Sequence, residues 1–262
     1  MVWVLLTKSV SDRRTLTAVL GLLLIVMGAF VGALWPPMRD TFADLSSGLM
    51  DDILRALPGA DMTTGAGWAN AELMSMVAPA AIITVAVVSA ARATAGEEEA
   101  KTLGMVLSAP VSRLMFLSVK TAAMTIHVLI VGAFLAVGLM VGNLIGNLGL
   151  TPAGILGATA HTVLLGIFFG MVAILIGAAT GNGRLTTAGT GTLAGIAFVM
   201  SAILPLSNTL AEGAKASPWY YFNASNPLVN GFDPQHLAIL AGASVVLASL
   251  AMVIFRARDL RG

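Results

Sequence analysis

Long apolar runs separated by short polar punctuation dominate the chain. Six of them reach the ~20 residues that a helix needs to cross a ~30 Å hydrocarbon core. They are Leu16 to Trp35, Ala71 to Ala95, Leu114 to Gly142, Ala153 to Thr180, Thr187 to Leu206 and His236 to Phe255. The pattern predicts an all-α polytopic membrane protein, one domain over residues 1–262, with both ends on the same side. Pro36-Pro37 is expected to end the first span. Ser112 is expected to N-cap the third, whose length should carry its first turns out into water. Residues 1–14 read as an amphipathic lead-in. Phe42, Leu45, Leu49, Ile53 and Leu57 recur at helical spacing, predicting an external amphipathic helix before Pro58-Gly59.

One polar interruption differs from the rest. Gly96 to Arg113 reads GEEEAKTLGMVLSAPVSR. Glu97, Glu98 and Glu99 stand where a helix dipole favours acids, and Glu97 to Lys101 is the favourable i,i+4 order. Pro110 biases Ala109 out of helix, so a helix over 97–109 should stop there. At roughly 12 residues, or ~18 Å, it is too short and too charged to span. It is expected to lie on the membrane surface, open to a partner.

Composition sharpens this picture. The 262 residues are 57% hydrophobic and 10% charged, against ~25% charged in soluble domains, which excludes an ordinary soluble class. The net charge of +1 makes no case for nucleic acid as a partner; the lipid bilayer is the expected one. The absence of cysteine removes disulfides, thiol nucleophiles and Cys-ligated metals. The first run is too long for a signal-peptide core, so it is read as a retained span. Lys8, Arg13, Arg14, Arg92, Lys101, Arg113, Lys120, Arg184, Arg256, Arg258 and Arg261 fall on one predicted side, and only Arg39, Arg55 and Lys215 on the other. Positive charge concentrates on the cytoplasmic side, so both termini and the 96–113 stretch are expected there. Trp3, Trp35, Trp68 and Trp219 are expected at water–lipid boundaries.

Catalytic motifs are missing. The chain has no G-x-x-x-x-G-K-[ST] to cradle a nucleotide phosphate, no H-E-x-x-H and no G-x-S-x-G, so no enzymatic role, bound cofactor or metal is expected. His127 and His161 fall well inside predicted spans. Either could line a cavity or relay protons, or could simply be a neutral imidazole bonded between helices. G-x-x-x-G pairs at Gly28/Gly32, Gly138/Gly142, Gly166/Gly170, Gly177/Gly181 and Gly191/Gly195 permit close helix approach. Thr187, Thr190, Thr192 and Ser201 put hydroxyls on the fifth span, suited to a translocation path or to interhelical bonding.

The stretch GEEEAKTLGMVLSAPVSRLMFLSVK resembles a pattern of an acidic pair, T-L-x-x-L-L-S-x-P-V-S-R and a following Lys. The ending SNPLVNGFD through a span to IFRARDL is similar to the end of the same family. That family is the permease subunits of bacterial type-2 ATP-binding-cassette exporters, which implies a plasma (inner) membrane of bacterial type. The resemblance implies that Glu97, Glu98, Glu99, Lys101, Thr102 and Leu103 form a coupling helix on a separate cytoplasmic ATPase subunit, which holds the ATP and Mg. Arg113 and, in the second cytoplasmic loop, Arg184 would join that docking surface. It further implies two permeases, identical or different, around a path lined mainly by the second and fifth spans. Thr84, Ser89, Thr190 and Ser201 are candidate path residues there, with His127 and His161. The 207–235 loop would cap the exit. Export of an amphipathic small molecule, drug or lipid is expected. A proton-driven transporter using His127 and His161, or a membrane anchor recruiting a partner through the charged stretch, remain as alternatives.

Overall fold

The computed structural model describes residues 2–45, 62–96, 112–207 and 209–258. The coupling stretch 97–109, the part of the predicted external helix that holds Leu49, Ile53 and Leu57, and Arg261 lie outside the described residues.

Among the described residues six helices are long and apolar enough to cross a membrane: Arg14–Thr41, Gly65–Thr94, Arg113–Gly146, Pro152–Thr180, Gly183–Leu206 and Pro234–Ala257. Among the described residues every regular element is helical, and the protein is an all-α polytopic membrane protein. The lead-in forms its own helix, Val2–Ser11, packed on the third span.

The first span runs on to Leu45, through Pro36 and Pro37, instead of stopping at them. Two missing N–H donors ordinarily break a helix, but inside a bundle neighbouring groups brace the turn. Here Trp35 packs on Trp68, with ring centroids 6.4 Å apart. The Trp68 indole N–H donates to the Val31 carbonyl at 3.1 Å, one turn before the prolines.

The second span starts at Gly65, earlier than the polar run up to Asn70 suggests, with the Thr64 hydroxyl accepting from the Gly67 amide at 3.0 Å. Two π-helical turns, Asn70–Met74 and Arg92–Gly96, flank its regular core Val77–Ala91. The remaining spans start where short polar caps dictate. Ser112, Thr151, Asn182 and Asp233 each accept a main-chain N–H with the side chain, and Pro152 and Pro234 occupy first-turn positions that need no donor. The Ser112 cap is the one expected. Gly181 ends the fourth span at φ 62°, where a side chain would be strained.

Glycines set the helix packing. Gly28 and Gly32 of the first span face Gly138, Gly142 and Gly146 of the third so closely that a Cβ on any of them would strike the opposite backbone. Two of the predicted G-x-x-x-G pairs therefore belong to one interface. Gly166, Gly170 and Gly177 do a similar job along the fourth span, where an added Cβ would meet Ile82, Met124 and Thr94 respectively. Gly191 and Gly195 have nothing within 4 Å of an added Cβ. They lie on an open face.

Candidate functional site

Burial separates the spans into inner and outer ones. The most apolar stretch of the second span is 67% buried within the chain, and that of the fourth 61%; the fifth reaches only 11% and the sixth 17%. The second span still keeps one open stripe. Glu72, Met76, Ala80 and Thr84 are exposed at i,i+4 spacing while Leu73, Met74, Ile82 and Val85 are buried. On the fifth span Leu185, Leu193, Ile196, Val199 and Ile203 are exposed, together with Thr187, Thr192, Gly191 and Gly195. In a bilayer, exposed apolar side chains of this kind face lipid or another protein. Exposed hydroxyls and a carboxylate beside them mark the part of the surface that suits water or a polar solute.

Of the predicted path residues, Thr84 lies on the open stripe and Ser201 is half-buried. Thr190 is fully buried, its hydroxyl without a hydrogen-bond partner. Ser89 is buried as well, and lines a polar cavity that His127 also reaches. His161 is not part of that cavity, so the six residues do not form one site.

The two histidines lie at opposite ends of the bundle. The Nδ1 of His127 lies 2.7 Å from the Thr17 hydroxyl, in the first turn of the first span. The third helix starts at Arg113, some 14 residues or ~21 Å earlier, so its lower part extends beyond the level where the first span begins. This stagger sets His127 level with the foot of the first span. His161 is at the other end of the bundle. Its Nδ1 is 3.0 Å from the Tyr221 carbonyl, and its Nε2 accepts the Asp233 amide at 3.3 Å. A ring that donates through Nδ1 and accepts through Nε2 is the neutral tautomer, held as a bridge between helices. His161 is a staple for the long loop.

That loop folds inward. Pro218–Asn223 forms a helix whose Trp219 and Phe222 are buried. The Trp219 indole donates to the Ala194 carbonyl at 3.1 Å and the Ser217 hydroxyl to the Ala197 carbonyl at 2.7 Å, both on the fifth span. His236, Tyr220 and Tyr221 stack in mutual contact around the start of the sixth span. The backbone amide of His236 and its ring hold the Asp233 carboxyl below its ordinary value. Trp219 is thus inside the protein, not at a lipid boundary. Trp35 and Trp68 are likewise buried against each other, and of the four only Trp3 is exposed, at 72%. Each buried indole donates its N–H or stacks in the bundle, a role that composition could not separate from membrane anchoring.

Of the docking residues, Arg184 is exposed at the start of the fifth span. Arg113 is half-buried and donates to the Arg258 carbonyl at 2.8 Å, tying the start of the third span to the end of the sixth. Glu97, Glu98, Glu99, Lys101, Thr102 and Leu103 lie outside the described residues. One grouping is absent from the sequence-based expectations: Arg13 and Arg92 bear there only on orientation, and Lys120 on orientation and the family pattern, yet they converge with Ser89 and His127 on the cavity. The signal was there. Lys120 stands inside a hydrophobic run, where a cation is costly and is ordinarily functional.

With the geometry established, comparison with known proteins adds a family. The family model described as "Multidrug efflux system permease Rv1217c, C-terminal domain" matches residues 10–256. Comparison with curated proteins gives no match.

Proposed function

We propose, from the fact that this chain belongs to the family of the multidrug efflux system permease Rv1217c, C-terminal domain, that it is the permease half of an ATP-driven exporter. The family match, running from the lead-in helix to the end of the sixth span, carries the proposal. In this reading ATP binds and is hydrolysed with Mg on a separate cytoplasmic subunit, and both termini of this chain lie on that same cytoplasmic side of a bacterial-type plasma membrane. Residues 97–109 form the coupling helix, with Arg184 at its edge. A second permease, identical or different, covers the open faces of the second and fifth spans, and an amphipathic drug or lipid passes between them. The exposed stripe Glu72, Met76, Ala80, Thr84 and the unburied fifth span support this pairing, because both would otherwise present polar groups to lipid.

ATP drives transport only through a difference in its affinity for the two states of the ATPase pair. Closing that pair would move the coupling helices and open the permease outward. A proton-driven carrier fits less well. His127 and His161 sit at opposite ends of the bundle, and both nitrogens of His161 are engaged by the main chain.

Co-purification tests the proposal. A P-loop ATPase should accompany the chain stoichiometrically in detergent, and reversing Glu97, Glu98 and Glu99 to lysine should release it without preventing insertion. Efflux that continues without ATP but collapses with the proton gradient would overturn it.

A further inference from the structure

A cavity of about 190 Å³ opens at the end of the bundle that carries the lead-in helix. A single water needs only ~10–15 Å³, so there is room for a polyatomic group. Three elements build it: the lead-in helix with its following turn, the second span and the third span. Its charge is lopsided. Arg13, Arg92 and Lys120 face it against one carboxylate, Asp12.

Two polar atoms in its wall have no hydrogen-bond partner, the Ser89 hydroxyl and the Nε2 of His127, in side chains 6% and 1% exposed. The Ser9 main chain faces the His127 ring without closing a bond of good geometry. Lys120, 7% exposed, donates to the Ser9 hydroxyl at 2.9 Å with its ammonium 5.4 Å from the Phe116 ring centroid, so it is fixed in place. Burial and the like charge of Arg92 hold the Arg13 guanidinium below its ordinary value, and Asp12 does not cancel them. Arginine nevertheless stays charged. Among the described residues the wall therefore carries more positive than negative charge beside unmet hydrogen-bonding capacity, and both suit an anion with several acceptor oxygens.

We propose that this cavity binds a phosphate group, carried either by an anionic phospholipid head or by a free phosphate. Arg13 and Arg92 offer planar guanidinium forks that match phosphate oxygens, and Ser89 offers a hydroxyl donor. His127 becomes the fourth donor by a shift of tautomer. The Thr17 hydroxyl has one proton and two acceptors within reach, the Arg13 carbonyl at 3.0 Å and the His127 Nδ1 at 2.7 Å. Directing it to Nδ1 leaves the imidazole proton on Nε2, in a ring that lines the cavity. Basic pockets between spans at a membrane boundary are a general means of holding lipid head groups.

The test uses the purified full chain in a zwitterionic detergent, with native mass spectrometry and melting temperature as readouts. It is titrated with short-chain phosphatidylglycerol, short-chain phosphatidylcholine and inorganic phosphate. One phosphatidylglycerol should be retained saturably per chain, roughly tenfold more tightly than phosphatidylcholine, whose choline is repelled by the arginines. Binding of inorganic phosphate with no retained lipid assigns the same site to a free phosphate. Arg13→Gln with Arg92→Gln should weaken binding by roughly tenfold or more. Ala123→Leu keeps every charge and fills the cavity from a wall position 4% exposed, so it should remove binding even if the arginine pair fails to fold. Lys8→Gln, exposed and outside the cavity, should leave it unchanged. Absence of saturable binding for both lipid and phosphate overturns the proposal. So does unchanged binding in Ala123→Leu, or a loss in Lys8→Gln equal to that of the arginine pair.

Discussion

Gly138→Ala probes the close backbone contact between the first and third spans. A Cβ at this position would stand 2.5 Å from the Leu24 carbonyl oxygen and 3.1 Å from its carbon, whereas ordinary contact begins at 3.4 Å. The first and third spans are thus about 0.9 Å too close to admit even a methyl group. The obstacle is backbone, so no rotamer change relieves it and the helices must part. Parting also loosens the neighbouring approaches of Gly28, Gly32, Gly142 and Gly146, which depend on the same spacing. Overpacking of this kind costs ~1–3 kcal/mol. At ~2–4 °C per kcal/mol for a chain of this size, the melting temperature should fall by about 2–12 °C.

Fluorescence-detected size-exclusion after heating in detergent measures that fall. The companion variant is Gly195→Ala, where nothing lies within 4 Å of the new Cβ. It should melt at the native temperature or slightly above, since alanine is the better helix former by up to ~1 kcal/mol. Equal melting of the two variants would refute the reasoning. Gly28→Ala and Gly142→Ala should cost less together than the sum of the two alone, because the first already separates the helices that the second would force apart.

Further predictions concern the hydrogen-bonded staples. Trp68→Phe keeps the packing on Trp35 but removes the donor to the Val31 carbonyl, and should lower stability by ~1 kcal/mol, read from the same heating assay. His161→Phe leaves the Tyr221 carbonyl and the Asp233 amide unmet, costing about 2–3 kcal/mol, and should speed hydrogen exchange across 217–233 before the rest of the chain. Asp233→Ala removes the cap of the sixth span and should cost ~1 kcal/mol. The Asp233 carboxyl is held below its unfolded value of ~3.9, so its contribution is complete above about pH 4 and is lost as pH falls through the lower folded value. A melting profile of Asp233→Ala against the native chain should therefore converge only in acid; a constant difference down to low pH would contradict this. Arg113→Gln should free the end of the sixth span, seen as faster proteolysis after Ala257, with the six spans intact.

Hydrophobic periodicity by itself determined that six helices cross the membrane, where most of them start, and that the third runs long. These features follow from local rules: apolar length against a fixed bilayer thickness, and capping side chains beside prolines. The G-x-x-x-G pairs were visible too. What they could not say was that Gly28/Gly32 and Gly138/Gly142 belong to each other while Gly191/Gly195 face outward, because pairing is set by which helices become neighbours. The same limit explains the tryptophans and the prolines. Trp35, Trp68 and Trp219 look like membrane anchors in sequence, and only packing shows them buried; that the first helix continues through Pro36-Pro37, beside the Trp35–Trp68 contact, is likewise seen only in the packed structure.

The candidate site divides the same way. The charged stretch 96–113 is expected as a surface element because its acids, lysine and proline are adjacent in the chain, and residues 97–109 lie outside the described residues. The cavity of Arg13, Ser89, Arg92, Lys120 and His127 was not, since its members come from three separated segments. Sequence alone places His127 within an apolar run. The tertiary structure brings it beside Thr17, at the foot of the first span, because the third helix begins some 14 residues lower. Local pattern decides which residues enter the membrane; the relative stagger of the packed helices decides which of them meet.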